Sequence, residues 1–333
     1  MPNAGSAVLT SADERPRPPF DPDVERALEA QKHAVVTSMG AGDVTALRAA
    51  SSCPDESALT RSGEFELTHH EAMGADGRTV RMVLLRPRDR PVTVPIIYHV
   101  HGGGMVVGSA YDILPQMAEL ASEVGAAVAS VEYRLAPEHP YPAAIEDVYT
   151  GLVWLSTDAA SLGLDPARVI VHGVSAGGGL AAGCALLARD RNGPELLGQM
   201  LIYPMLDDRN DSDSARQMAG AGAWDRTANA TGWSLYLGDR ARDDVPIYAA
   251  PARADDLSNL PPTFIDVGSA ETFRDEDIAY ASRMWACGGD AELHVWPGGA
   301  HGFDTLAPEA ALSSDARNAR VRWLTRLLTR PLS

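Results

Sequence analysis

A serine attacks a carbonyl carbon only when a base takes its proton and nearby donors receive the charge that builds on oxygen. Ser175 lies in Gly173-Val-Ser-Ala-Gly177, a G-x-S-x-G sequence between an apolar run, Val169-Ile-Val-His172, and an Ala/Leu-rich stretch, Gly178–Arg189. A sharp strand-to-helix turn there strains the central residue's backbone and demands small neighbours two positions away. Gly173 and Gly177 meet that demand, and Gly178 extends it. The hydroxyl would then project above a sheet, near the positive end of the following helix. Five residues alone are weak evidence, since an ordinary serine in a glycine-rich turn fits them. Strand, elbow and helix together favour a nucleophile.

The charge on oxygen needs a home. His101-Gly-Gly-Gly104 closes an earlier apolar run, Val94–Val100. Three consecutive glycines cost backbone entropy, so such a run serves close approach or unusual torsions. The N–H groups of Gly103 and Gly104, joined by that of Ala176, could converge on the oxygen of a tetrahedral intermediate. His101 itself reads better as a residue bonding within the loop than as a base.

Nine histidines compete for the role of base. His301 wins on position, in Gly298-Gly-Ala-His-Gly-Phe303 after the last strand-like run, which gives the order serine, acid, histidine. His99 and His294 fall inside strands and read as packed residues, while His69 and His70 fall in a hairpin. The acid should lie just past the run Thr263–Val267, where Glu271 stands. Its task would be to hold the imidazole tautomer and stabilise imidazolium, which Glu does as well as Asp. Asp275, one helical turn on, is the rival, and Asp266 lies within the strand.

Three further residues could touch substrate. Met105 directly follows the oxyanion glycines and Phe303 stands two residues after the histidine, so both are expected near the reacting carbonyl. Trp224, in a long interval between strands, could close over the site. Ordinary packing is the competing reading of each.

These residues need elements to position them. Residues 1–19 carry four prolines and little apolar content, and read as a mobile leader. From Asp21 to about Ala50 the spacing of Val24, Ala27, Leu28, Val35, Val36, Val44 and Leu47 predicts helix. Two runs around Gly74-Ala-Asp-Gly77 read as a hairpin. Strands are then expected at 94–100, 127–133, 169–172, 200–203, 263–267 and 292–296, with helices at 114–124, 141–155, 178–189, 275–287 and 314–328. Such alternation calls for a mainly parallel sheet covered on both faces. About sixty residues separate Tyr203 from Thr263, far more than a crossover needs. With residues 20–50, this interval reads as a cap.

Bulk properties narrow the function. The 333 residues are 45% hydrophobic and 22% charged, as in an ordinary soluble protein. A net charge of −17 argues against nucleic acid or an anionic membrane as partner. No stretch approaches the ~20 apolar residues of a membrane span, and no secretory signal is readable. Cys53, Cys184 and Cys287 are scattered and odd in number, and read as reduced thiols in a cytoplasmic protein. No metal or other cofactor is expected, and Gly102-Gly-Gly104 lacks the Lys-Ser/Thr of a phosphate loop.

Taken together, the motifs resemble those of the bacterial hormone-sensitive-lipase family of esterases, from about Val94 to Phe303. His101-Gly-Gly-Gly104 is similar to its oxyanion motif, Gly173-Val-Ser-Ala-Gly-Gly178 to its nucleophile motif, and His301-Gly-Phe303 to its histidine site. Tyr133-Arg-Leu-Ala-Pro-Glu138, continuing through Pro142-Ala-Ala and Asp147, is a highly specific match. Two departures stand out: Val174 where the family usually has Asp, and Glu271-Thr-Phe-Arg-Asp-Glu276 where it usually has Asp-Pro-Leu-Arg-Asp-Glu. The resemblance implies an α/β-hydrolase fold: an eight-stranded, mostly parallel sheet with helices on both faces. It also implies a helical cap built from residues 20–50 and an insertion at roughly 206–250, with the core split into 51–205 and 251–333. Homodimers are common in such families, though no residue here points to one.

The expected activity is cofactor-free hydrolysis of small carboxylic esters with short acyl chains through an acyl-enzyme. Hydrolysis of a lactone, an amide or the acetyl ester of a particular metabolite would use the same triad. A ligand-binding protein on this fold would lack a triad residue, whereas this chain has all three candidates. An interfacial lipase would want a docking surface that an acidic chain does not offer.

Overall fold

The computed structural model describes residues 16–50, 53–89 and 93–330. Of the expected leader, residues 1–15 lie outside this range. Residues 16–19 run beside the interval after the sixth strand, where Gln217 Nε2 donates to the Pro16 carbonyl at 3.0 Å.

Among the described residues, eight strands form one sheet. They are β1 (Phe65–Met73), β2 (Thr79–Pro87), β3 (Val94–Val100), β4 (Ala127–Glu132), β5 (Leu164–Val174), β6 (Gly198–Ile202), β7 (Thr263–Gly268) and β8 (Ala291–Trp296). Their spatial order is β1-β2-β4-β3-β5-β6-β7-β8. Only β2 breaks the parallel run, pairing antiparallel with both β1 and β4. The expected hairpin, with its turn at 74–77, is therefore present.

Alternation along each strand divides the core into two layers. Ile96, Tyr98 and Val100 of β3 face one layer while Ile97 faces the other; Val169 and Val171 of β5 oppose Ile170 in the same way. Strands buried on both faces read as nearly continuous apolar runs, which is why periodicity found them. Helices fill both layers. In chain order they are α1 (Pro22–Ala30), α2 (Val44–Ala50), α3 (Glu56–Leu59), α4 (Leu114–Val124), α5 (Ala143–Asp158), α6 (Ala176–Asp190), α7 (Asp213–Gln217), α8 (Arg226–Leu237), α9 (Arg274–Ala286), α10 (Phe303–Leu306) and α11 (Ala311–Leu328). All of α6 from Ala176 to Ala188 is buried, which accounts for its Ala, Gly and Leu composition.

One expectation needs correcting. Residues 21–50 are not continuous helix, because α1 ends at Ala30 and α2 begins only at Val44. The β-branched run Val35-Val-Thr37, then Gly40 and Gly42, disfavours helix between them. Asp21 caps α1 by accepting from the Asp23 amide at 2.8 Å. No described helix is long and apolar enough to cross a membrane.

The carboxyl ends of β3, β5, β7 and β8 lie along one edge of the sheet, where open α/β sheets bind their ligands. The loops leaving these four strands carry the residues singled out by sequence, apart from Trp224, which follows β6.

Candidate active site

Ser175 sits between β5 and α6 with φ +58° and ψ −122°, torsions that a non-glycine residue rarely adopts. Packing enforces them. The Ser175 amide donates to the Ile202 carbonyl at 2.9 Å, and its own carbonyl accepts from Met205 at 2.9 Å and Gly179 at 3.1 Å. A Cβ on Gly173 would strike the Gly177 carbonyl, and one on Gly177 would strike the carbonyls of Val100 and His101. The two outer glycines of the motif are therefore contact requirements.

His301 Nε2 lies 2.9 Å from Ser175 Oγ, and His301 Nδ1 lies 3.2 Å from Glu271 Oε1. A carboxylate accepts at Nδ1, so that nitrogen carries the proton and Nε2 is left to accept from the hydroxyl. Glu271 Oε2 takes the Gly268 amide at 3.2 Å, fixing the carboxylate from the strand side. The glutamate side chain is fully buried, and the serine is only 6% exposed. Asp275 is engaged elsewhere, accepting from the Ser214 amide at 2.7 Å and Arg274 Nε at 2.7 Å. Asp266 pairs with Arg320.

The loop after β3 runs directly past this serine. A Cβ on Gly102 would stand 3.4 Å from that of Ser175, and Gly103 and Gly104 take φ of +103° and +62°. Ala176 opens α6, so its amide has no acceptor within the helix. His101 is buried, stacks on Tyr133 at 4.0 Å and places Nδ1 2.8 Å from the Gly102 carbonyl. Tyr133 in turn donates its hydroxyl to the His101 carbonyl at 3.0 Å. Burial pushes the His101 imidazole down to about 4, so at neutral pH it is an uncharged pin of the loop.

The specific segment after β4 buttresses this loop. Arg134 grips Asp147 through Nε at 2.7 Å and Nη2 at 2.6 Å. Arg48 of α2 donates to the carbonyls of Val106 and Ala136, at 2.7 and 2.6 Å, and pairs with Glu138.

The substrate expectations divide. Trp224 lies over the site, its indole edge against Gly104 and its ring 6.5 Å from that of His301. Its carbonyl accepts from Thr272, beside Glu271, at 2.6 Å. Met105 and Phe303 are both fully buried instead. Met105, at φ +61°, turns toward Gly179 under α6, and Phe303 lies behind Tyr203, centroids 6.4 Å apart, and against Gly299. Neither presents surface to a bound ester. Sequence reasoning missed two rings that do contact the histidine, Tyr203 at 4.8 Å and Phe273 at 5.1 Å. Their places at the ends of β6 and before α9 were the available signal.

Among the described residues no group of three His, Cys, Asp or Glu side chains could hold a metal ion. The arrangement is suited to acyl transfer: a strained serine hydroxyl, a histidine acceptor, a buried carboxylate behind it and glycine amides alongside.

A family model described as alpha/beta hydrolase fold matches residues 97–305. The carboxylesterase NlhH of Mycobacterium tuberculosis is 37% identical over 238 residues, covering 71% of this chain and 74% of its own. The esterase LipI of the same organism is 36% identical over 224 residues, covering 67% and 70%. Among solved structures, a bacterial heroin esterase superposes with a TM-score of 0.84 at 35% identity, covering 93% of this chain and 98% of that one. Esterase LipW from Mycobacterium marinum gives 0.83 at 32% identity, covering 95% and 99%.

Proposed function

Because the chain belongs to the α/β-hydrolase family that its residues 97–305 match, we propose that it is a serine carboxylesterase working through Ser175, His301 and Glu271. The observation that carries this reading is the unbroken chain from Ser175 Oγ through both nitrogens of His301 to Glu271. Ser175 Oγ attacks the ester carbonyl as His301 Nε2 takes its proton, and Glu271 stabilises the imidazolium. The amides of Gly103, Gly104 and Ala176 receive the oxyanion. His301 returns the proton to the departing alcohol, leaving an acyl-serine. Water then repeats the attack with the same base, releasing the acid and the free serine.

The substrates are small esters, a reading in line with the similar proteins named carboxylesterase and esterase. A short acyl group suits the closed surroundings of Ser175 and the indole laid over Gly104. Residues 20–50 and 206–250 act together as a cap. Their linkage supports this: Asp225 donates its amide to the Thr37 carbonyl at 3.1 Å, and Thr37 and Ser38 donate their hydroxyls to Gly222 O at 2.7 Å and Asp225 Oδ2 at 2.6 Å.

The test is a hydrolysis screen of p-nitrophenyl acyl esters, lactones and acetylated metabolites, with a fluorophosphonate to mark the nucleophile. Acyl esters should be turned over, and the label should fall on Ser175. Ser175→Ala should lose turnover by orders of magnitude while remaining folded, because the triad acts as a unit. An active Ser175→Ala protein overturns the assignment.

A further inference from the structure

His301 stands on a glycine-rich loop held through its backbone. Gly298 and Gly302 on either side take φ of +77° and +71°. Its hydrogen bonds to Ser175 and Glu271 leave from the two ring nitrogens. Bonds made in the plane of the imidazole resist its rocking about the line between those nitrogens only weakly. A tilt of that kind would spoil proton transfer, so the ring needs walls.

Two aromatic rings supply them. Tyr203 meets the imidazole at 69° with centroids 4.8 Å apart, and Phe273 at 88° and 5.1 Å. Both are buried. Phe273 follows Glu271 by two residues, and its carbonyl accepts from Asp277 at 3.1 Å, where α9 begins. Tyr203 is more tightly held. Its φ of +35° is one that a bulky residue keeps only where the surroundings over-determine it. The Tyr203 amide donates to the Asp266 carbonyl at 2.7 Å and its hydroxyl to Asp304 Oδ1 at 2.9 Å. Asp304 Oδ2 accepts from Arg320 Nη1, and Arg320 Nε donates to Asp266 Oδ2 at 2.9 Å. The circuit thus begins and ends on Asp266, and it passes through Asp304, three residues beyond His301.

We propose that Tyr203 and Phe273 are positioning residues that clamp the His301 imidazole in line with Ser175 and Glu271, Tyr203 being locked by the closed Asp304–Arg320–Asp266 circuit. This rests on the triad reading above. Tyr203→Met and Phe273→Met remove a ring while roughly keeping volume. Each is expected to lower kcat for p-nitrophenyl butyrate about tenfold or more, with KM within about twofold, since proton transfer suffers and binding does not. Fluorophosphonate labelling of Ser175 should slow by a similar factor. The low-field proton resonance of His301 Nδ1–H should shift or broaden. Tyr203→Phe, which keeps the ring and breaks only the bond to Asp304, should recover most of the loss, to within about threefold of the parent. Folded Met variants with parental kcat and an unmoved resonance would overturn the clamp. A Tyr203→Phe protein as impaired as Tyr203→Met would overturn it for Tyr203, by placing the effect in the hydroxyl. Should the Met variants fail to fold, Arg320→Lys decides: loosening the circuit must move the resonance, and an unmoved one overturns the proposal. Failure of the triad reading looks different: the parent would leave the ester untouched, or Ser175→Ala would stay active.

Discussion

The indole of Trp224 lies across Gly104, with Cη2 2.5 Å from the point that a Cβ on this glycine would occupy. One residue comes from the interval between β6 and β7 and the other from the loop after β3, and in the proposed reading their contact forms a roof over the serine. Each methylene bound beneath that roof should contribute ~0.8 kcal/mol, about fourfold in kcat/KM, until the acyl chain outgrows the space. Trp224→Ala should move the acyl-length optimum toward longer chains and raise octanoyl relative to acetyl turnover. An unchanged chain-length profile would reduce Trp224 to packing. Gly104→Ala should cost about a hundredfold or more in kcat, because the methyl meets the indole and the φ of +62° strains any side chain.

The two candidate acids that follow β7 separate by mutation. Glu271→Gln should lower kcat by roughly 10³–10⁴, since the amide no longer favours the proton on Nδ1 or balances the imidazolium. Asp275→Asn breaks the links to Ser214 and Arg274 instead, and should cost some stability but little turnover. Steady-state kinetics and thermal melts on both variants check this, and the reverse ranking would move the acid to Asp275.

Acid should destabilise the fold through its buried histidines. Burial lowers His99 to about 3 and His101 to about 4, against ~6.5 in the unfolded chain. Below pH ~6.5 the unfolded chain binds protons that the folded one refuses, so stability present above that pH is lost as pH falls toward 4. His101 alone accounts for on the order of 3 kcal/mol at pH 4. Tm should fall steeply between pH 6.5 and 4.5. His101→Asn, although less stable overall, should show a shallower fall.

Asp277 works in the opposite direction. It is fully buried, neither carboxylate oxygen has a partner, and burial with Glu276 and Glu271 nearby raises its pKa well above the usual range. The folded chain then holds a proton that the unfolded chain gives up, so this residue costs stability as pH rises from about 4. Asp277→Asn should raise stability at pH 7 by on the order of 1 kcal/mol or more. The gain should vanish near pH 4, and melts at the two pH values check it.

Much of this was legible in the residues. The central strands read well because both their faces are buried, and Ser175 and His301 because a strained elbow and chain order leave few choices. Glu271 prevailed over Asp275 on position alone, and the structure brings it to His301. What stayed hidden was side-chain direction. Met105 neighbours the oxyanion glycines in sequence, yet its left-handed torsion sends it under α6. Phe303 neighbours the histidine, yet it faces the core. Tyr203 and Phe273 meet His301 from the segments that follow two different strands, a relation that no local spacing encodes. The break between α1 and α2 came from β-branched residues and glycines that an apolar count ignores.

Asp21 does more than cap α1. Its amide donates to the Gly298 carbonyl at 2.9 Å, in the loop that carries His301, and a Cβ on Gly298 would collide with it. The histidine loop is thereby fastened to a segment about 280 residues away in sequence, and the tether is backbone rather than side chain. A protease cutting ahead of Pro22 would leave every triad residue in place and still slacken the base. The integrity of the backbone at Asp21 and the placement of the catalytic base are thus linked.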